Sequence, residues 1–98
     1  MFTPIHLDKT RNFRYGMVAL DRIEESLGVS VTALDLDSLT MKQAAIIVWA
    51  GLVHEDKELT PLRVMELIDE HSNLTDALGT MAKAFEKSFS GGKPPVKN

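Results

Sequence analysis

The stretch Thr40-Met41-Lys42-Gln43-Ala44-Ala45-Ile46-Ile47-Val48-Trp49-Ala50-Gly51-Leu52-Val53 decides the fold. Its opening is a capping box: the Thr40 hydroxyl can accept the Gln43 amide, while the Gln43 side chain reaches back to the Thr40 amide. The residues that follow are apolar nearly all round, so a helix from Met41 to Val53 has no wet face. Such a helix is central and covered on several sides. The β-branched run Ile46-Ile47-Val48 also suits a buried strand, but the capping box and the length favour helix.

Upstream, Met17, Leu20, Ile23 and Leu27 recur at helical spacing, with Asp21, Arg22, Glu24 and Glu25 filling the other side. Gly28 stands where a left-handed cap residue is wanted. Earlier still, Ile5, Leu7, Phe13 and Tyr15 alternate with polar neighbours around Asp8-Lys9-Thr10-Arg11-Asn12, the pattern of two short strands and a turn. A ribbon that small must lie on something else. Between these elements, Val31, Leu34 and Leu36 suggest a short helical turn or a loop packed on the core.

Downstream, Thr60-Pro61 restarts a helix, with Thr as N-cap and Pro at the first helical position. Leu59 and Val64 occupy the positions of a hydrophobic staple, and Val64, Leu67, Ile68 and His71 form the inner stripe. Asn73 caps a last helix with Asp76 in its first turn, where a negative charge favours the positive dipole end. Its stripe is Leu74, Leu78, Met81, Phe85 and Phe89. The expectation is one mainly α domain over 1–89, with about four helices and an N-terminal β-hairpin near 5–15, followed by a flexible tail over 90–98.

Composition agrees and excludes much. The chain has 98 residues, 44% of them hydrophobic and 26% charged, with a formal charge of -3. That acidic balance argues against nucleic-acid binding. The absence of Cys excludes disulfides and thiolate chemistry. The apolar run from Ala44 to Leu52 is too short to span a bilayer, and the first residues lack the apolar core of a signal peptide. A cytosolic, soluble domain is expected.

Chemistry is harder to find. His54, Asp56, Glu70 and His71 could be combined into a metal or acid/base site, but no spacing demands it. His54-Glu55-Asp56-Lys57-Glu58 lacks the second His of a zincin, and the favoured reading is a solvated connector. Gly91-Gly92-Lys93 lacks the upstream Gly and the following Ser or Thr of a phosphate loop. No catalytic residue, metal or cofactor is expected. Trp49 reads as core, with an indole N–H that needs an acceptor.

Three stretches taken in order resemble a known family. They are Phe13 to Gly28, then Leu39 to Gln43 running into Val48-Trp49-Ala50-Gly51-Leu52-Val53-His54-Glu55-Asp56, then Glu58-Leu59-Thr60-Pro61 before Leu67-Ile68-Asp69-Glu70-His71. Their order and spacing are similar to the small tail assembly chaperones of long-tailed bacteriophages and prophages, and to related helical proteins of gene transfer agents. Lys57 stands where such sequences often carry Pro.

The resemblance implies a non-enzymatic role in virion morphogenesis in the host bacterial cytoplasm. The partners it implies are the long helical tape measure protein, which the chaperone coats and keeps soluble, and tail-tube subunits, which it helps recruit. The chaperone is then shed and absent from the mature virion. Coating of a filament also implies a homo-oligomer. The residues nominated for partner contact are Trp49, Leu52 and Val53 on the central helix with Phe85 and Phe89 on the last, because the chain holds more apolar side chains than a thin core needs. Alternative readings are a structural neck or tail-completion protein, or a small bacterial helical adaptor.

Overall fold

The computed structural model describes residues 3–90. Strand β1 (Thr3–His6) pairs antiparallel with β2 (Thr10–Phe13), in a register that sets Thr3 opposite Phe13 and His6 opposite Thr10. Helix α1 (Met17–Leu27) follows, then single 3-10 turns at Val31–Ala33 and Leu36–Ser38. Helices α2 (Met41–Leu52), α3 (Pro61–His71) and α4 (Leu74–Ser90) complete the fold. This is the mainly α architecture with a short β-hairpin that the sequence predicts.

Helix α2 is the hub, touched by α1, α3, α4 and β2. Its start is the expected capping box, with Gln43 N–H on the Thr40 hydroxyl at 3.1 Å and Thr40 N–H on the Gln43 side chain at 2.9 Å. Ile47, Val48 and Leu52 have no measurable exposure. Each such aliphatic side chain contributes about 1.5–3 kcal/mol of burial free energy. The remaining helix ends also follow the sequence. Thr60 accepts the Arg63 amide at 3.1 Å, and Asn73 accepts the Asp76 amide at 2.9 Å. Leu59 and Val64 are both buried, as a staple requires, and Gly28 adopts the left-handed cap at φ 72°.

The ribbon lies across α2 and α4. Its turn is shorter than the run from Asp8 to Asn12 suggests. Asp8 accepts Arg11 Nε and Nη2, both at 2.9 Å, so Arg11 folds back over the turn and stands in β2 opposite Ile5. Ile5, Leu7, Phe13 and Tyr15 face the core as the alternation predicts, and Arg11 is buried beside them.

Two polar side chains, one buried and one half-buried, fix the ribbon and the connector to α2. The Tyr15 hydroxyl donates to the Ile47 carbonyl at 2.6 Å. The Trp49 indole donates to the Leu59 carbonyl at 2.8 Å, the acceptor its burial calls for.

Helix phase differs from expectation at three places. Met17, expected on the inner stripe of α1, is 87% exposed, because the buried positions are Ala19 and Ile23. At about 100° per residue Met17 stands about 120° round the helix from Ile23. Leu74 is likewise 48% exposed, since α4 buries Ala77, Met81, Ala84 and Phe85. His71 is exposed at the end of α3 rather than on its inner stripe. Ser90, assigned to the tail from sequence, closes α4, and 91–98 lie outside the described residues.

Candidate partner-binding surface

Of the five residues nominated for partner contact, Leu52, Val53 and Phe85 are core. Leu52 has no exposure, Val53 is buried at the C-cap of α2, and Phe85 packs edge-on against Tyr15 with ring centroids 5.3 Å apart. As packed, none of the three offers a surface to another chain. Trp49 is half-buried, with Arg22 lying over its ring at 5.9 Å. The side chain of Phe89 lies outside the described residues.

The surplus apolar surface is elsewhere. Met17, Val18, Val29, Met41, Leu62 and Leu74 are the large exposed hydrophobics among the described residues. Four of them border two clefts. The first is a groove of about 230 Å³ between α2, α3 and the start of α4, with Met41 and Leu74 on its rim and Ala44, Ala45, Val48 and Ile68 along its floor. Half-buried Met65 and Leu78 and the single carboxylate Asp69 complete its lining. Small alanines on the floor let another side chain approach the α2 backbone, and methionines on the rim adapt to its shape. The second cleft lies at the start of α1, bordered by Met17 and Val18 and by Arg14, Arg22 and His54. The signal available in sequence was phase: Val18 is apolar but lies off the α1 stripe, and Met17 and Leu74 open the stripes of α1 and α4 rather than standing at their centres.

The charged segment His54 to Asp56 is a clamp on the ribbon, more than a solvated connector. The Glu55 carboxylate accepts both the backbone N–H of Asn12 at 3.0 Å and its side-chain amide at 3.1 Å. Desolvation works against that carboxylate, but the two Asn12 donors outweigh it and hold its pKa below the ordinary value. His54 Nε2 lies 2.8 Å from the Asn12 carbonyl, which can only accept, so that nitrogen carries the proton. Asp56 stands 3.7 Å from Arg11 Nη1. That nitrogen is buried without a hydrogen-bond partner, and Arg11 is held chiefly by its paired bonds to Asp8. The hydrogen bond from Arg11 lowers the pKa of Asp8, and the same contact raises that of Arg11.

Comparison with family models, with curated proteins and with solved structures finds no match for this chain.

Its own geometry therefore carries the reading. His54 borders the cleft at α1, whereas Glu70 and His71 border a separate polar cleft beside Pro4, Ile5 and His6. Asp56 borders neither and faces Arg11 instead, so the four residues considered for a metal or acid/base site are not brought together. Among the described residues no group of three or more His, Cys, Asp or Glu is placed to hold a metal ion, and no helix is long and apolar enough to cross a membrane. The exposed apolar side chains among the described residues thus gather beside two clefts, with Met41 and Leu74 at one and Met17 and Val18 at the other.

Proposed function

We propose that this chain is a tail assembly chaperone that binds the tape measure protein of a long-tailed phage or prophage, keeps it soluble and helps recruit tail-tube subunits. The observation that carries the proposal is the groove between α2, α3 and α4. An amphipathic helix recognised in a groove presents an apolar row at helical spacing. A floor of alanines flanked by Met41, Met65, Leu74 and Leu78 accepts such a row. The resemblance of the three sequence stretches supplies the identity of the helix. A tape measure protein is long and largely helical, and its apolar seams aggregate unless covered. Copies of a small chaperone arrayed along it add avidity without tight individual contacts. The work is done in the host cytoplasm, and the chaperone leaves before the particle is complete.

Co-expression tests the proposal. A tape measure protein of a long-tailed phage is expected to shift from the insoluble to the soluble fraction when the chain is present. Equal insolubility with and without it would overturn the reading. Mass spectrometry of purified particles separates the chaperone from a neck or tail-completion component, because a chaperone is absent from them.

A further inference from the structure

The cleft at the start of α1 differs from the groove in charge. Exposed Arg14 and His54 line it, together with Arg22, which rises from α1 over the Trp49 ring at 5.9 Å. No carboxylate is among the residues that line it. The same cleft is lined by Met17, 87% exposed, and Val18, 69% exposed. Both are fixed on the first turn of a helix, so their side chains present a stable apolar step. The N-cap is Gly16, which has no side chain to cap α1, and the first turn holds no acidic residue. The positive end of the α1 dipole therefore adds to the two guanidinium charges. The nearest acid on the helix, Asp21, is exposed and does not line the cleft, although at four residues from Met17 and three from Val18 it stands one turn along the same face.

This cationic patch occurs on a chain whose net charge is -3. Its sign is thus a local arrangement and not a consequence of overall composition. An apolar step that shares its cleft with two guanidinium groups is complementary to an apolar row flanked by carboxylates.

We propose that the cleft at Met17 and Val18 is a second docking surface, and that its occupant is an acidic amphipathic helix of a partner protein. The apolar row of that helix covers Met17 and Val18. Its carboxylates meet Arg14 and Arg22, where bidentate guanidinium pairing fixes the register. Arg22 already rests on Trp49, so one of the two cations is held in place before the partner arrives. The proposal does not depend on the tape measure assignment, because it concerns another face of the fold and another partner chemistry. The groove between α2, α3 and α4 holds only the acid Asp69, whereas this cleft holds only cations and one imidazole.

The test uses the full chain, isotopically labelled, titrated with a synthetic helical peptide that carries leucines at helical spacing flanked by glutamates. A second peptide of the same pattern has lysine at every glutamate. The glutamate peptide is expected to shift the backbone signals of Met17, Val18 and Arg22 and to change the fluorescence of Trp49, the only tryptophan. Binding is expected to weaken about tenfold in Arg14→Glu and to fall with added salt, and the lysine peptide is expected not to bind. Arg14 is exposed and Val18→Ser removes only exposed surface, so both variants are expected to melt like the parent. Loss of binding in both therefore reports the cleft and not the fold. Equal binding of the two peptides would overturn the proposal. So would shifts confined to Met41 and Leu74, failure of the glutamate peptide to bind, or its displacement by a single-stranded oligonucleotide.

Discussion

The Tyr15 ring occupies the space that a side chain on Gly51 would need: a Cβ built there falls 2.6 Å from Tyr15 Cζ and 2.8 Å from its hydroxyl oxygen. Phe13 is equally close, at 2.8 Å. The same approach lets the Arg14 N–H reach the Gly51 carbonyl at 2.9 Å, so the end of the ribbon is bonded to the last turn of α2. Glycine within a helix is ordinarily a weakness of about 0.5–1 kcal/mol relative to alanine. Here the sign reverses. Gly51→Ala is expected to destabilise the fold by about 1–3 kcal/mol, since two aromatic rings must move. Gly79→Ala is the contrast: nothing stands within 4 Å of the added Cβ, and a gain of about 0.5–1 kcal/mol is expected. Urea unfolding of the two variants measures both, and a stabilised Gly51→Ala would refute the close-packing account.

Tyr15 makes a second prediction. Burial raises the pKa of its hydroxyl well above 10, because a phenolate would lie in the core. An acid whose folded pKa is raised contributes stability that is complete below its unfolded pKa of about 10 and is lost as pH rises above it. The chain has one tyrosine, so phenolate absorbance reports this group alone. Ionisation is expected to coincide with alkaline unfolding followed by circular dichroism. Phenolate appearing in a still-folded chain near pH 10 is the contrary result.

Most of the fold was legible because it was written in local signals. The Thr40 and Gln43 box, the Thr60-Pro61 start and Gly28 each constrain the backbone through their own chemistry, and all three stand where the sequence places them. What was not legible depends on neighbours. Whether Met17 or Ala19 turns inward depends on how α1 is rotated against α2, and a stripe three to four residues wide leaves that angle open. The same holds for Leu74 against Ala77 on α4. The nominated contacts suffered most, because Leu52 and Phe85 look like surplus only until the ribbon is laid over α2 and α4. The role of Glu55 was hidden for another reason: its partner Asn12 is distant in sequence, on the ribbon.

The ribbon's turn carries an acid-dependent contribution. The hydrogen bond from Arg11 is the main reason that the pKa of Asp8 lies below its ordinary value, and Arg11 itself stays charged. A carboxylate with a lowered folded pKa contributes stability that is present above its unfolded pKa, near 4, and is lost as pH falls through the folded value. Asp8→Asn is therefore expected to be less stable than the parent at neutral pH, and the two urea midpoints are expected to converge under acid. A gap that stays constant down to strongly acidic pH would show that the turn is held by packing and not by the ion pair. The effect is larger than exposure alone suggests, since Arg11 is left buried when its partner goes.

Core and surface apolar residues separate under the same kind of substitution. Leu52→Ala and Phe85→Ala each remove a buried side chain, at about 2–5 and 3–5 kcal/mol respectively. Against the 5–15 kcal/mol that holds a typical domain together, either loss is expected to lower the melting temperature sharply. Met41→Ser and Leu74→Ser remove side chains that are 54% and 48% exposed, and their melting curves are expected to stay close to the parent's, within about 0.5 kcal/mol. On the proposed function, those two folded variants are expected no longer to keep a tape measure protein in solution, because the rim that would close over its apolar row is gone. Folded variants that still solubilise it fully would move the binding surface away from the groove. The two core variants cannot make that distinction, since unfolding removes every surface at once.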